Sequence, residues 1–372
     1  MKLRFNDAAA IAICALVVLF AEAADTTSPI TGSWRLNNWT SHFDTVHLEL
    51  SRRTLTSHWM DGSDYPLDQI HGLTREQLHS LHAVVRFELV RDAGTLVCEG
   101  SVTAGVGGGT FQFSSNAAFE REMRKMGYED LSEDTLFSML THDVGLVFVR
   151  EVQKAGLRDG SAQNLIRLRN HAITPEYIAD IRSAGYNYSA DDLIRLRNHG
   201  VKTDFLRELK RDSYDLSSEE VVKLRNYGVD SEYIHGLTAA HYRFSTDEIA
   251  RLKSHGVTPD FVRDLKGSHY ELSPDEIIKL RNSGVSADFA REVKRAGYDL
   301  SADELVRLRN NGVPADFLAG LRSAGYDRVS QHDIIRLWQY GVRADYVARL
   351  QASGMKNLSP DQIIKLKTHG ID

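Results

Sequence analysis

Apolar positions along the chain follow two regimes. Between residues 28 and 113 they come in short alternating runs, at 32–36, 46–50, 84–90, 95–102 and 110–113. Val85, Phe87 and Leu89 interleave with Arg86 and Glu88, a period of two that predicts half-buried strands. Asp92-Ala93-Gly94 and the glycines from 105 to 109 read as turns, the second as a loose hairpin loop. Residues 73–81 read as one short helix between strands. Together they predict a small antiparallel sheet of about five or six strands, curved or partly closed.

From residue 114 to 372 the pattern changes to a tandem repeat. A β-branched residue recurs at Val144, Ile173, Val201, Val229, Val257, Val285, Val313, Val342 and Ile371, at intervals of 28 or 29 residues. Each unit decodes into two short helices. In the unit that starts at Val285 the first spans 286–296 and closes at Gly297, and the second runs from Ser301 to Gly312. Ser301 and Glu304 form a capping box, and Ser189, Ser217, Ser245, Ser273 and Ser359 recur in the same place. Acids such as Asp204, Glu232, Asp260 and Asp288 occupy the first turn of the first helix, where the helix dipole favours them. Val285, Phe289, Val293, Tyr298, Leu300, Leu305 and Leu308 are the predicted core of that unit.

No single hairpin hides the apolar faces of both its helices, so neighbours must stack. The fold class is therefore α+β: an antiparallel β domain over 28–113, then an all-α solenoid over 114–372. That solenoid holds about eight units and a partial first one, whose helices are expected over 116–126 and 132–142.

Lys2 and Arg4 precede a 13-residue apolar run, and Ala21-Glu22-Ala23 ends it. This is the layout of a secretory signal over 1–23, too short for the ~20 residues of a bilayer span. Cleavage would leave an exported chain without a membrane span, periplasmic or extracellular. Asp7 and Glu22 are unusual in such a leader and leave an uncleaved anchor as the alternative. Loss of Cys14 would make Cys98 the sole cysteine, read as a buried small hydrophobe rather than a reactive thiol. Asn38-Trp39-Thr40 is a glycosylation sequon, relevant only in a eukaryotic secretory pathway.

The net charge of −6 makes the chain a poor general binder of nucleic acid or anionic membrane. Its repeats are nearly balanced, with 37 basic and 39 acidic residues from 114 onward. Most second helices carry two basic residues, among them Arg195 and Arg197, Lys223 and Arg225, Arg251 and Lys253, Lys279 and Arg281, and Arg307 and Arg309. The first of each pair lies four residues after an acid, as in Asp191–Arg195 and Asp303–Arg307, a favourable intrahelical spacing. The second has no such local partner, which leaves it to serve the helix end or bridge to the next unit. Arg197, Arg225, Lys253, Arg281 and Arg309 are accordingly candidate contacts for an anionic or acidic partner. Trp338 breaks the basic pattern in the seventh unit and is a further contact candidate.

The recurring Tyr298 position reads as a hydrophobic clasp on the helix end, with a ligand platform as the alternative. Glu76, His79 and His82, three apart on the short helix, are a candidate metal face, set against the plainer reading of a solvated surface. His171, His199, His255 and His369 stand one per unit and do not cluster. The glycines at 105–109 are no phosphate loop, because the Gly-Lys-Ser/Thr ending is absent. No catalytic motif and no cofactor motif is found.

Gly256-Val257-Thr258-Pro259-Asp260-Phe261-Val262-Arg263 and the recurring Ala-Gly-Tyr resemble tandem repeats of uncharacterised exported bacterial proteins. Similar repeats follow the membrane metallopeptidase domain of some antirepressor proteases. Residues 85–113 resemble the sheet that often precedes them. The peptidase helices and zinc motif are missing here, so the resemblance implies an envelope location without protease activity. A fainter likeness to the DNA-gripping helix-hairpin-helix fails at Thr258, where a second glycine is needed. The sequence thus predicts a non-enzymatic envelope protein whose repeats bind a protein or peptide. The alternatives are an anionic envelope polymer held by the Arg/Lys ladder, or a small-ligand or metal site in the sheet.

Overall fold

The computed structural model describes residues 30–37, 44–53, 58–158 and 161–371. The leader expected over 1–23 and the sequon at 38–40 lie outside them. Two compact units result: one of 30–121 with Leu131–Thr141, the other of Glu122–Asp130 with His142 onward.

In the first unit the strands are β1 (Ile30–Asn37), β2 (Thr45–Arg53), β3 (His58–Pro66), β4 (Ile70–His71), β5 (Ala83–Arg91), β6 (Gly94–Thr103) and β7 (Val106–Ser115). They form one antiparallel sheet in the order β3-β2-β1-β7-β6-β5-β4. The expected five or six strands become seven. β3 (HWMDGSDYP) lacks an apolar alternation, and pairing along its whole length with β2 makes it a strand.

The glycine stretch is also corrected. Gly107, Gly108 and Gly109 are not a loop but lie inside β7, paired with both β1 and β6. The reason is Trp34, which is buried and sits against this strip. A Cβ on Gly100 or Gly107 would come within 2.8 and 3.2 Å of its indole, and one on Gly109 within 1.9 Å of the Glu99 carbonyl. The indole edge meets Phe87 at 5.0 Å and its N–H donates to the Glu99 carbonyl at 3.1 Å.

Trp34, Leu36, Leu48, Val85, Phe87, Leu96, Cys98, Phe111 and Phe113 are buried on one face of the sheet. A helix follows α1 (Arg75–His79) and α2 (Ala117–Lys125): α3 (Glu133–Thr141), which covers that face. Its Phe137 packs on Trp59, Phe111 and Phe113 with ring centres 5.1, 5.6 and 5.3 Å away. The carbonyls that its last turn leaves open are taken up by the sheet. Arg91 donates to Leu140 and Thr141, and the Tyr65 hydroxyl donates to Thr141 at 3.3 Å. By sequence α3 is the second helix of the partial repeat; in the structure it completes the core of the sheet.

The second unit is a helical solenoid. First helices of the repeats are α4 (Leu146–Lys154), α6 (Pro175–Ser183), α8 (Thr203–Arg211), α10 (Ser231–Ala239), α12 (Pro259–Gly267), α14 (Ala287–Arg295), α16 (Ala315–Ser323) and α18 (Ala344–Ala352). Second helices are α5 (Ala162–Asn170), α7 (Ala190–Asn198), α9 (Ser218–Asn226), α11 (Thr246–Ser254), α13 (Pro274–Asn282), α15 (Ala302–Asn310), α17 (Gln331–Gln339) and α19 (Pro360–Thr368). Each helix packs on its counterpart one repeat away, giving one row of first helices and one of second helices.

The expected caps hold the helices. Ser189, Ser217, Ser245, Ser273, Ser301 and Ser359 form reciprocal capping boxes with the residue three positions on. Helix ends close through a left-handed residue. At α7, Gly200 (φ 64°) donates to Arg197 and Val201 to Leu196, the double bond of a Schellman motif. The recurring β-branched residue is thereby turned into the core. The predicted core of the Val285 unit is buried except Leu300, which is half-buried. The extra residues at 327–329 and 356–358 fall between helices.

Candidate functional site

Two rows of cations run along the second helices, and they do different things. The first row is structural, but not through the intrahelical pairs expected from the sequence. Arg167 pairs with Asp191 of the next repeat at 2.6 Å, and Arg336 with Asp361 at 2.7 Å. Arg195–Glu219, Lys223–Asp247, Arg251–Asp275 and Lys279–Asp303 repeat the same rung. Side chains on a helix lean toward its N-terminus, so a cation in the second half of one helix reaches the first turn of its neighbour. Through this rung Lys279 holds the Asp303 carboxyl below its ordinary range, and Arg307, four residues on, adds the least. The ladder breaks once, at Arg307, where the next repeat offers Gln331 instead of an acid. Arg307 has no ion pair among the described residues.

The second row is Arg197, Arg225, Lys253, Arg281 and Arg309. None of these five has a carboxylate partner within 4 Å among the described residues. Four stand over an aromatic ring of the first helix of their own repeat: Arg197 over Tyr177 (5.5 Å), Arg225 over Phe205 (5.8 Å), Lys253 over Tyr233 (4.4 Å) and Arg281 over Phe261 (5.9 Å). Arg281 also donates to the Gly256 carbonyl at 3.0 Å, so it does serve a helix end, that of the preceding repeat. Those rings were the missing half of the site. Read as core from the sequence, they sit at a constant offset of 20 residues before each cation, which is the signal that marks them.

Around this row the surface is indented. One depression of about 660 Å³ is lined by Glu176, Tyr177, Arg197, Val201 and Asp204, among others. A second of about 600 Å³ is lined by Glu232, Tyr233, Lys253, Val257 and Asp260. These are the same repeat positions displaced by two units. In both, the Tyr hydroxyl donates to the carbonyl of the recurring valine, Tyr177 to Val201 at 3.3 Å and Tyr233 to Val257 at 3.0 Å. Burial pushes the phenols of Tyr177 and Tyr233 up, so both stay protonated donors. Each depression thus offers a cation on a ring beside first-turn acids.

Trp338 takes the place of a cation in α17. Its indole tilts against Phe317 at 5.3 Å, and the guanidinium of Arg343 stacks on it at 3.7 Å. It is half-buried within its own repeat. The Tyr298-type residues do clasp the helix ends, and they also link repeats. Tyr186 donates to Tyr214, Tyr214 to Phe244 and Tyr298 to Tyr326 through their hydroxyls, at 3.2, 3.3 and 3.3 Å. His171 and His255 sit at helix ends and bond Asn198 and Asn282 of the following repeats.

On the sheet unit, α1 ends at His79 and Ser80 is already extended, so His82 lies beyond the helix. Glu76, His79 and His82 therefore do not share a helical face. The His79 ring bonds the Arg75 carbonyl at 2.8 Å. Glu76 is held below the usual carboxylate range by backbone N–H at the helix start and by Thr74. Among the described residues, no three His, Cys, Asp or Glu side chains are grouped to hold a metal. Cys98 is buried in β6, and burial pushes its thiol up. The polar face of the sheet forms an open depression of about 1010 Å³, lined by Arg35, Arg86, Glu99, Thr110 and Gln112 among others. No described helix is long and apolar enough to cross a membrane. Compared with known protein families and with curated proteins, the chain matches none.

Proposed function

We propose that this is a non-enzymatic interaction protein, exported to the bacterial envelope, whose helical repeats dock a protein or peptide partner. Export rests on the leader-like residues 1–23, and the envelope on the resemblance of the repeats. The observation that carries docking is the recurrence of one depression at equivalent repeat positions, around Arg197 and again around Lys253. A surface that repeats its chemistry at fixed intervals suits a long partner that meets several units at once. Mixed lining favours a polypeptide over an anionic polymer. A dense polyanion drawn to Arg197 would be pressed against Glu176 and Asp204 as well.

A photo-crosslinking residue in place of Lys202, exposed in the first depression, tests this in the native envelope. The expected product is one polypeptide joined through one segment. A crosslink to polysaccharide or other polymer alone would favour the anionic-polymer alternative, and no adduct at all would refute docking at this face.

A further inference from the structure

The second cation row fixes the chemistry of that partner. Resting on the docking reading above, we infer that Arg197, Arg225, Lys253, Arg281 and Arg309 receive an extended acidic peptide with a carboxylate at every third residue. The row is set apart from the rest of the charge on the solenoid. Four of its five neighbours in the first row, all but Arg307, are consumed by rungs to the next repeat. Three of the first-turn acids are also engaged, Asp204 with Arg207, Asp260 with Arg263 and Asp288 with Arg291. None of the five cations has a carboxylate within 4 Å among the described residues, and four are held in place on rings. The row is bounded at both ends. Before it, Arg169 is paired with Asp143 of the preceding helix end; after it, Trp338 replaces the cation.

Spacing gives the period. The five residues occupy one position on α7, α9, α11, α13 and α15, which pack side by side in sequence. Neighbouring helices stand about 8–10 Å apart. An extended chain advances about 3.3 Å per residue, so three residues span one repeat. One charge per repeat is too sparse for a nucleic acid or polyphosphate, whose charges are spaced about 1.7–3.4 Å apart in DNA. A carboxylate every third residue meets one cation each and leaves the intervening first-turn acids facing neutral residues.

The test uses the full chain and two 15-residue peptides of one composition. In the first, Asp-Thr-Ser is repeated five times; in the second, the five aspartates are contiguous. We expect the first to bind at least tenfold more tightly by fluorescence anisotropy, and to be released as salt rises. Replacing all five cations with Gln should abolish that difference, while replacing the four arginines with Lys should retain most of it, with helical circular dichroism recorded for each. Equal affinity for the two peptides, no measurable binding, tighter binding of polyphosphate, or unchanged binding by the folded Gln variant would overturn the inference. If the Gln variant does not fold, the comparison of peptides and salt on the unaltered chain decides. A polypeptide crosslinked at Lys202 alongside failure of the periodic peptide would overturn this inference while leaving the docking function standing.

Discussion

Single residues show where the repeat departs from its own best solution. Most helix ends close on glycine, but Ala172, Ser213, His241 and His269 hold the left-handed conformation with φ of 51°, 66°, 59° and 62°. A side chain there costs about 1 kcal/mol relative to glycine. His269→Gly is therefore expected to stabilise the solenoid by about 0.5–1 kcal/mol, seen as a higher urea midpoint; an unchanged or lower midpoint would show that His269 earns its place through a contact. The caps give the opposite sign. Ser217 accepts from the Glu220 N–H at 3.2 Å while Glu220 returns a bond to the Ser217 N–H at 2.8 Å. Ser217→Ala should cost about 1 kcal/mol and fray the start of α9, which hydrogen exchange of its first turn measures.

Between elements, the rungs of the first cation row tie each repeat to the next. Exposed pairs of this kind are worth about 0.2–1 kcal/mol each. The break at Arg307 makes that testable, because Gln331→Asp restores the missing rung. A double-mutant cycle with Arg307→Gln is expected to yield a coupling of a few tenths of a kcal/mol, and zero coupling would show that the rungs are decorative. This is also the scale at which the sequence was legible in part. Helix limits, caps and closing glycines could be read directly, because each is a local choice within a few residues. The partner of Arg195 could not. An acid four residues back and another 24 residues ahead are equally visible in the chain, and only stacking brings Glu219 closer. β3 was hidden for the same reason: its polar residues become a strand through register with β2. The glycines of β7 read as a loop until Trp34 is laid against them. The aromatic platforms Tyr177, Phe205, Tyr233 and Phe261 read as core, and they are largely buried; their second role as cation seats appears only once the second helix is in place.

Across the whole solenoid, buried phenols set an alkaline limit. Burial, and then Asp215, pushes Tyr186 up to about 12, and burial with Asp299 does the same for Tyr270, against an ordinary value near 10. The folded state keeps protons that the unfolded chain releases, so this stability is complete below pH ~10 and is lost as pH rises through ~12. Tyrosinate absorbance should therefore rise together with the loss of helical circular dichroism; ionisation of these phenols with helices intact would contradict their burial. The repeat also permits a clean excision. Removing residues 229–256 joins Gly228 to Val257, re-creating the native junction and placing Lys223 opposite Asp275. The shortened chain should melt in one transition with helix content reduced by a single unit, and a broad or absent transition would deny that units are interchangeable. That junction has a consequence for descent. A gene whose period matches its protein's structural period can lose or gain a module by unequal crossing-over without an out-of-register seam. The molecule is in this sense a ruler whose number of graduations is free to change.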